Sequence, residues 1–315
     1  MKESYITANA FPTKLLHAQT VKYGKILPYH IVINPTNKCN GGCKECFCSN
    51  IDRKKELPIS EIKNIISYFR NLGTRAVSIS GGGEPFLYPE INEMINYISR
   101  KGLLLGGVTN GKTFEKVTNE NLQRFEWLRV SATTSKPLDL RITETNIYRA
   151  PEVDWSLSYV LGNENFGDLE NLILFSNRNS HISHVRVVTD LRNIETDLTI
   201  KAKRYIQEKR IGADKVIWQT RTSDIPGVKN CYFSLLKPTI DAEGYIQPCC
   251  SYQFATNPPL FSVGKDTAFC HWTEYGEKIA NQETFDGSNC VNCQYDKYND
   301  LLGLLLNKPK HSDFV

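Results

Sequence analysis

From about residue 29 to residue 220, short apolar runs alternate with amphipathic segments. His30-Ile31-Val32-Ile33 reads as a strand. Behind Ser60, the positions Ile62, Ile65, Ile66 and Phe69 recur at helical spacing, which predicts a helix capped by that serine. Gly73 punctuates, and 76–80 is the next strand. Pro89 then opens a helix bearing Ile91, Met94, Ile95 and Ile98, stopped by Gly102. Leu103-Leu104-Leu105 leads into a third strand ending at Val108-Thr109. Further strands are expected at 127–133, 156–161, 185–189 and 215–219, with the clearest later helix at 198–209. This rhythm predicts an α/β fold of parallel strands joined by crossover helices.

After Arg221 the rhythm stops. Residues 222–315 carry Pro226-Gly227, Asn257-Pro258-Pro259 and six of the chain's cysteines. A hairpin is expected there, with 232–240 and 245–247 meeting around Glu243-Gly244. Too few periodic segments remain for an independent apolar core, which predicts a small module stapled by metal. The expected organisation is an N-terminal extension at 1–28 with one weak helix, a main unit at 29–221 and a cysteine-rich module at 222–315.

Composition narrows the function classes. The 315 residues are 40% hydrophobic and 23% charged, with a net charge of +4. The densest basic run, Arg53-Lys54-Lys55, is followed at once by Glu56 and reads as solvated surface rather than a nucleic-acid patch. No apolar stretch reaches membrane-spanning length, and the N-terminus does not open a signal peptide. The expectation is a cytoplasmic protein with neither nucleic acid nor membrane as partner. Ten cysteines in such a chain are explained better by metal than by disulfides. Four lie between Cys39 and Cys48 and six between Cys231 and Cys293, which predicts two metal sites flanking a cysteine-free body.

The first group follows the first strand directly, as Cys39-Asn40-Gly41-Gly42-Cys43-Lys44-Glu45-Cys46. Three thiolates spaced Cx3Cx2C can wrap one face of a cubane while leaving the fourth iron open to a reacting ligand. Gly41 and Gly42 let the backbone curl and turn amide hydrogens toward sulfur. Zinc held by Cys39, Cys43, Cys46 and Cys48 is the competing assignment.

Here the chain resembles the radical S-adenosylmethionine (SAM) superfamily. The resemblance extends to Ser80-Gly81-Gly82-Gly83-Glu84-Pro85 at the second strand end, similar to the family's glycine-glycine-glutamate motif. It continues in Thr109-Asn110-Gly111 at the third strand end and in Ser131-Ala132-Thr133-Thr134-Ser135 at the fourth. It implies a partial (β/α)6 TIM-like barrel, a SAM-binding [4Fe–4S] cluster on Cys39, Cys43 and Cys46, and SAM contacts from Gly82, Gly83, Glu84, Thr109, Asn110 and Ser131. The family's usual aromatic before the third cysteine is replaced by Glu45. Phe47 therefore becomes the candidate to cover the adenine, and Cys48 competes with Cys46 as third ligand.

In the second group, Cys231, Cys249 of Gly244-Tyr245-Ile246-Gln247-Pro248-Cys249, and Cys290-Val291-Asn292-Cys293 resemble the C-terminal twitch module, a short relative of the SPASM extension. That resemblance implies an auxiliary [4Fe–4S] cluster on Cys231, Cys249, Cys290 and Cys293, with structural zinc as the alternative. Cys250 and Cys270 are left over, as small buried hydrophobes or as hydrogen-atom donors.

The implied reaction begins with reductive cleavage of SAM to a 5′-deoxyadenosyl radical, which takes hydrogen from a substrate carbon. Three continuations remain open. One is oxidation of a sugar- or aminocyclitol-like alcohol with the auxiliary cluster as electron acceptor, and another is epimerisation quenched by Cys250 or Cys270. The third is maturation, for example crosslinking, of a ribosomal peptide. A reductant such as flavodoxin or ferredoxin is the implied partner. A non-catalytic iron–sulfur or zinc protein is the remaining class. Arg186, Thr189 and Arg221 are polar residues in or beside late strands, assigned to salt bridges or hydrogen bonds rather than to catalysis.

Overall fold

The computed structural model describes residues 7–16, 24–46, 48–49, 51–133, 135–190, 196–219, 226–250, 267–290, 293 and 295–307. One ten-stranded sheet organises all of them. Its strands are β1 (His30–Ile33), β2 (Ala76–Ile79), β3 (Leu104–Thr109), β4 (Trp127–Thr133), β5 (Asp154–Leu161), β6 (Ile182–Thr189), β7 (Val216–Gln219), β8 (Thr239–Ile240), β9 (Tyr245–Gln247) and β10 (Cys270–His271). The helices are α1 (Thr7–Leu16), α2 (Ile59–Asn71), α3 (Ile91–Arg100), α4 (Asn119–Leu122), α5 (Leu140–Arg149), α6 (Gly167–Arg178), α7 (Thr196–Glu208), α8 (Phe233–Leu236), α9 (Tyr275–Asn281) and α10 (Asp296–Leu306).

Strands β1 to β7 pair in parallel and in chain order, and each of the first six is followed by one of α2 to α7. The architecture is α/β with a partial TIM-like barrel, extended by β7 at one edge. At the other edge β8 pairs in parallel with β1, and the antiparallel strands β9 and β10 continue the sheet. No described helix is long and apolar enough to cross a membrane.

The helical stripes bury the residues that their spacing selects. Ile62, Ile65, Ile66 and Phe69 of α2 are buried, as are Ile91, Met94, Ile95 and Ile98 of α3. Ser60, however, lies inside α2 rather than at its cap. Pro58 occupies that position at φ −60° with no side-chain cap, because a proline presets the entry and has no N–H to satisfy. The expected hairpin is also shorter than 232–240. Phe233 stacks on Tyr295 at 3.7 Å and its N–H donates to Asn299 Oδ1, so that stretch winds into α8. Only β8 and β9 form the hairpin, with Gly244 at φ +84° between them.

Alternation along the strands divides the sheet into two faces. Ile31, Ile33, Val77, Ile79, Leu128, Val130, Leu157 and Val185 are buried in the core. The opposite, inner face is polar: His30 Nε2 lies 2.8 Å from Ser78 Oγ, and Ser131 Oγ lies 3.1 Å from Ser158 Oγ. A barrel interior is commonly filled by stacked branched apolar residues, and here hydroxyl and imidazole groups take several of those positions. Gly106 of β3 sits beneath the Trp127 ring, where an added Cβ would lie 2.2 Å from the indole. Gly106→Ala is expected to cost about 1–3 kcal/mol by overpacking. A lowered urea midpoint at unchanged m-value would show it.

Candidate active site and cysteine centres

The loop after β1 carries the first cysteine group. Gly41 N–H donates to Cys39 Sγ at 3.2 Å. A Cβ on Gly41 would stand 3.0 Å from Cys39 Sγ, 3.6 Å from Cys43 Sγ and 4.0 Å from Asn110 Nδ2. The glycine therefore leaves a small cradle between two thiols and the end of β3, and Gly42 at φ +71° allows the backbone to turn there. Burial raises the Cys43 pKa. A Thr133 hydrogen bond opposes that shift, while the neighbouring Cys46 and Cys39 thiols add to it. Cys48 is buried and its thiol donates to Gly81 O at 3.7 Å, on the glycine loop.

Arg53 ties this loop to the glycine run. Its guanidinium donates to Asn37 O at 3.1 Å, Gly82 O at 2.9 Å and Cys48 O at 2.6 Å, with Cys46 Sγ 3.8 Å away. The basic run expected to be solvated surface thus contains a half-buried structural residue. Nothing in the sequence separates Arg53 from its neighbours, because its partners are backbone carbonyls.

Glu84 is 2% exposed. Its carboxylate accepts from Thr109 Oγ1 at 2.6 Å, from the Asn110 N–H at 2.6 Å and from the Phe86 N–H at 3.1 Å. Burial raises its pKa against these lowering donors. The carboxylate therefore clamps the end of β2 to the end of β3. Gly82 and Gly83 serve close packing as well, since a Cβ would meet Asn37 Oδ1 at 2.2 Å and Lys38 O at 2.1 Å respectively. Asn110 reaches the cysteine loop itself, with Nδ2 donating to Asn40 Oδ1 at 2.7 Å.

Glu45 has its own partner across the barrel mouth. Its carboxylate accepts from the Ser135 N–H at 3.0 Å and from the Ser135 hydroxyl, and the Lys44 N–H donates to Ser135 Oγ at 3.1 Å. Burial alone would raise the Glu45 pKa, but hydrogen bonds from Ser135, its own backbone and Thr133 outweigh it and hold the pKa below the ordinary value. The acidic residue in place of an aromatic fastens the loop to the end of β4. Phe47 and Arg221 lie outside the described residues.

In the second group, the N–H of Gly227 donates to Cys290 O at 2.7 Å and Cys231 bridges to Phe285, so the two segments run side by side. Burial pushes the Cys231 thiol up to about 12, with Cys293 and Cys290 adding to the shift. Burial and Cys293 push Cys290 up to about 11. These three cysteines come together, while the field of Cys249, which follows β9, registers at Lys237. Cys250 is exposed, with Sγ 3.8 Å from Tyr295 Oη, and Cys270 is buried in β10 with its thiol pushed up to about 12, chiefly by burial. Among the described residues, no three His, Cys, Asp or Glu side chains close around a point that one metal ion would occupy.

Residues 33–150 match the sequence model of the radical SAM superfamily. Over 177 residues the chain is 29% identical to the S-adenosylmethionine-dependent nucleotide dehydratase of Selenomonas ruminantium, covering 55% of this chain and 61% of that protein. Over 101 residues it is 27% identical to the antilisterial bacteriocin subtilosin biosynthesis protein AlbA of Bacillus subtilis strain 168, covering 32% of this chain and 22% of AlbA. The chain therefore matches under two thirds of either relative's length. Among solved structures, Streptococcus suis SuiB bound to its precursor peptide SuiA superposes with a TM-score of 0.57 at 16% identity, covering 78% of this chain and 64% of SuiB. Native anSMEcpe with bound AdoMet and a peptide gives 0.56 at 13% identity, covering 91% and 85%. Both likenesses are of fold.

Two substitutions test the clamps. Arg53→Met strips the shared donor from three carbonyls and is expected to lower stability by about 2–4 kcal/mol. Arg53→Lys should recover less than half of that, since one ammonium does not reproduce the fork. Glu84→Gln sets an amide donor against backbone N–H donors and is expected to cost about 1–3 kcal/mol. Chemical denaturation of each variant gives both values.

Proposed function

From the match of residues 33–150 to the radical SAM superfamily, we propose a dehydrogenase of an alcohol-bearing substrate that starts its chemistry on Cys39, Cys43 and Cys46. The observation that carries this assignment is the thiol cradle at Gly41, which faces Asn110 at the end of β3. Cys46 is the third ligand in this proposal, because the Cys39 and Cys46 thiols both act on Cys43 whereas Cys48 turns to Gly81 O. The soft thiolate set fits a [4Fe–4S] cluster with one open iron. Bound there and reduced, the cluster supplies the electron that splits SAM into methionine and the 5′-deoxyadenosyl radical.

The chain's own residues position the reactants. The Gly41 N–H tunes the Cys39 sulfur by donating to it. Asn110, Ser131 and the backbone of Gly82 and Gly83 flank the space assigned to SAM, while Glu84 and Arg53 hold those segments in register. The barrel lumen keeps water from the substrate carbon. Cys231, Cys249, Cys290 and Cys293 are proposed to hold an auxiliary [4Fe–4S] cluster, which supplies an acceptor for the electron left after the substrate radical loses its proton. The module 222–315 would then be the redox half of the protein and 29–221 the radical-generating half. A flavodoxin or ferredoxin is the proposed reductant, and the organic product is a carbonyl.

Epimerisation is the second proposal, and the placement of Cys250 favours it. Cys250 is exposed beside Tyr295 and acts on Arg129 of the inner face, whereas Cys270 is in the core. The two proposals separate in deuterated water. Epimerisation leaves one solvent deuterium on the product carbon and stops with Cys250→Ala, while oxidation yields a carbonyl and tolerates that change.

Anaerobic reconstitution tests both cysteine groups. About eight irons per chain are expected, falling to about four in a Cys231→Ala, Cys290→Ala, Cys293→Ala triple variant that still forms 5′-deoxyadenosine. Cys43→Ala is expected to abolish that product. Zinc in place of the second set of irons would refute the auxiliary cluster.

A further inference from the structure

The inner face of the barrel carries a cationic floor that the radical chemistry does not use. Register pairing puts Ser131 beside Ser158 and Ser158 beside Arg186, and one pleat lower it puts Arg129 beside Ser156. All share the face whose polar contacts include the Ser131–Ser158 hydroxyl pair. Arg129 lies over the Trp127 ring, with Cζ 5.5 Å from its centroid, which holds the guanidinium in one orientation. Lys237 immediately precedes Pro238, whose carbonyl accepts from Val32 N–H of β1, so β8 carries it into the same enclosure.

Electrostatics give the same neighbourhood from both sides. Burial, with the Arg186 charge adding to it, lowers Arg129 to about 9. Opposing contributions to Arg129 come from the Cys250 thiol and the Tyr295 phenol, while Asp154 acts on the neighbouring His184 against Arg129 and Arg186. Burial also lowers Lys237, with Arg129 and Arg186 adding to the shift against Cys250 and Cys249. Beneath them, Lys14 of α1 falls to about 8 through burial and the Lys237 charge. Like charges gathered in a half-buried enclosure repel one another, and an anion bound among them relieves that repulsion.

We infer that the substrate presents an oxyanion, a carboxylate or a phosphate, that seats between Arg129 and Lys237 on the lumen floor. The geometry suits this class. The arginine offers a planar fork held by Trp127, the lysine offers a point charge, and the Ser131–Ser158 hydroxyls stand one pleat nearer the cysteine loop. The anion would anchor the far end of the substrate and present its remaining carbons toward the strand ends, where Cys39, Cys43 and Cys46 lie. The inference rests on the proposed radical site only for the direction in which the substrate points. The anion pocket itself is measurable without turnover.

The test is calorimetric titration of the reconstituted protein with inorganic pyrophosphate and, separately, with succinate. One of them should bind saturably and raise the melting temperature, and which one does so identifies phosphate or carboxylate as the source. Arg129→Met and Lys237→Met should each weaken that binding by about tenfold or more. Each should leave the melting temperature equal or higher, because one of several mutually repelling half-buried cations has been removed. Arg129→Lys should fall between, keeping charge without the fork. Failure of both anions to bind, or unchanged affinity in both methionine variants, would overturn the inference. So would a drop in melting temperature in both variants, which would make the cations structural. A matching loss of SAM affinity would assign the pair to the carboxylate of SAM and overturn it as well. Iron content and uncoupled formation of 5′-deoxyadenosine by the unsubstituted protein report separately on the radical site.

Discussion

A single buried carboxylate sets the geometry of the strand ends. Glu84 receives the Thr109 hydroxyl and the Asn110 and Phe86 amides, so the end of β2 and the end of β3 are held by one side chain. Thr109 Oγ1 in turn accepts from the Gly111 N–H at 3.1 Å, which makes the turn after β3 part of the same network. Asn110 is thereby aimed at Asn40, and the cysteine loop inherits its position from that contact. A buried charge with three protein donors is far less costly than an unpaired one, and its directionality excludes other arrangements of the two loops.

Around this clamp the cysteine loop is fastened at two further places by opposite charges. Arg53 draws its far side onto the glycine run, and Glu45 draws its near side onto Ser135 at the end of β4. The glycines between these anchors are required less by any one ligand than by the approach of Asn37 and Lys38, which would collide with a Cβ at Gly82 or Gly83. Close backbone packing thus accounts for these glycines whether or not a ligand also approaches them.

The sequence was most legible where chemistry and periodicity are local. The helical stripes of α2 and α3, the extent of β4 and the placing of motifs at successive strand ends all follow from spacing within a dozen residues. Arg53 was illegible because a basic run looks alike whether it faces water or carbonyls. Glu45 stood out as a departure from the resemblance, yet its partner Ser135 is 90 residues away and left no local mark. The stretch before β8 reads as strand by composition but follows the stacking of Phe233 on Tyr295, a contact across most of the C-terminal segment. Arg129 and Lys237 come to one face of the sheet through its topology, which no window of sequence contains.

The pairing of β8 with β1 has a consequence for how the two cysteine groups are spaced. The first group leaves the sheet directly from β1, and Cys249 leaves it from β9, two strands away along a continuous hydrogen-bonded ladder. Along that path paired backbone joins the two loops, so strand spacing enters the separation between them. For the electron transfer proposed above, a path that includes backbone pairing would vary less in length than one that ran through a linker alone. The proposed redox path would then take part of its length from strand pairing at the sheet edge.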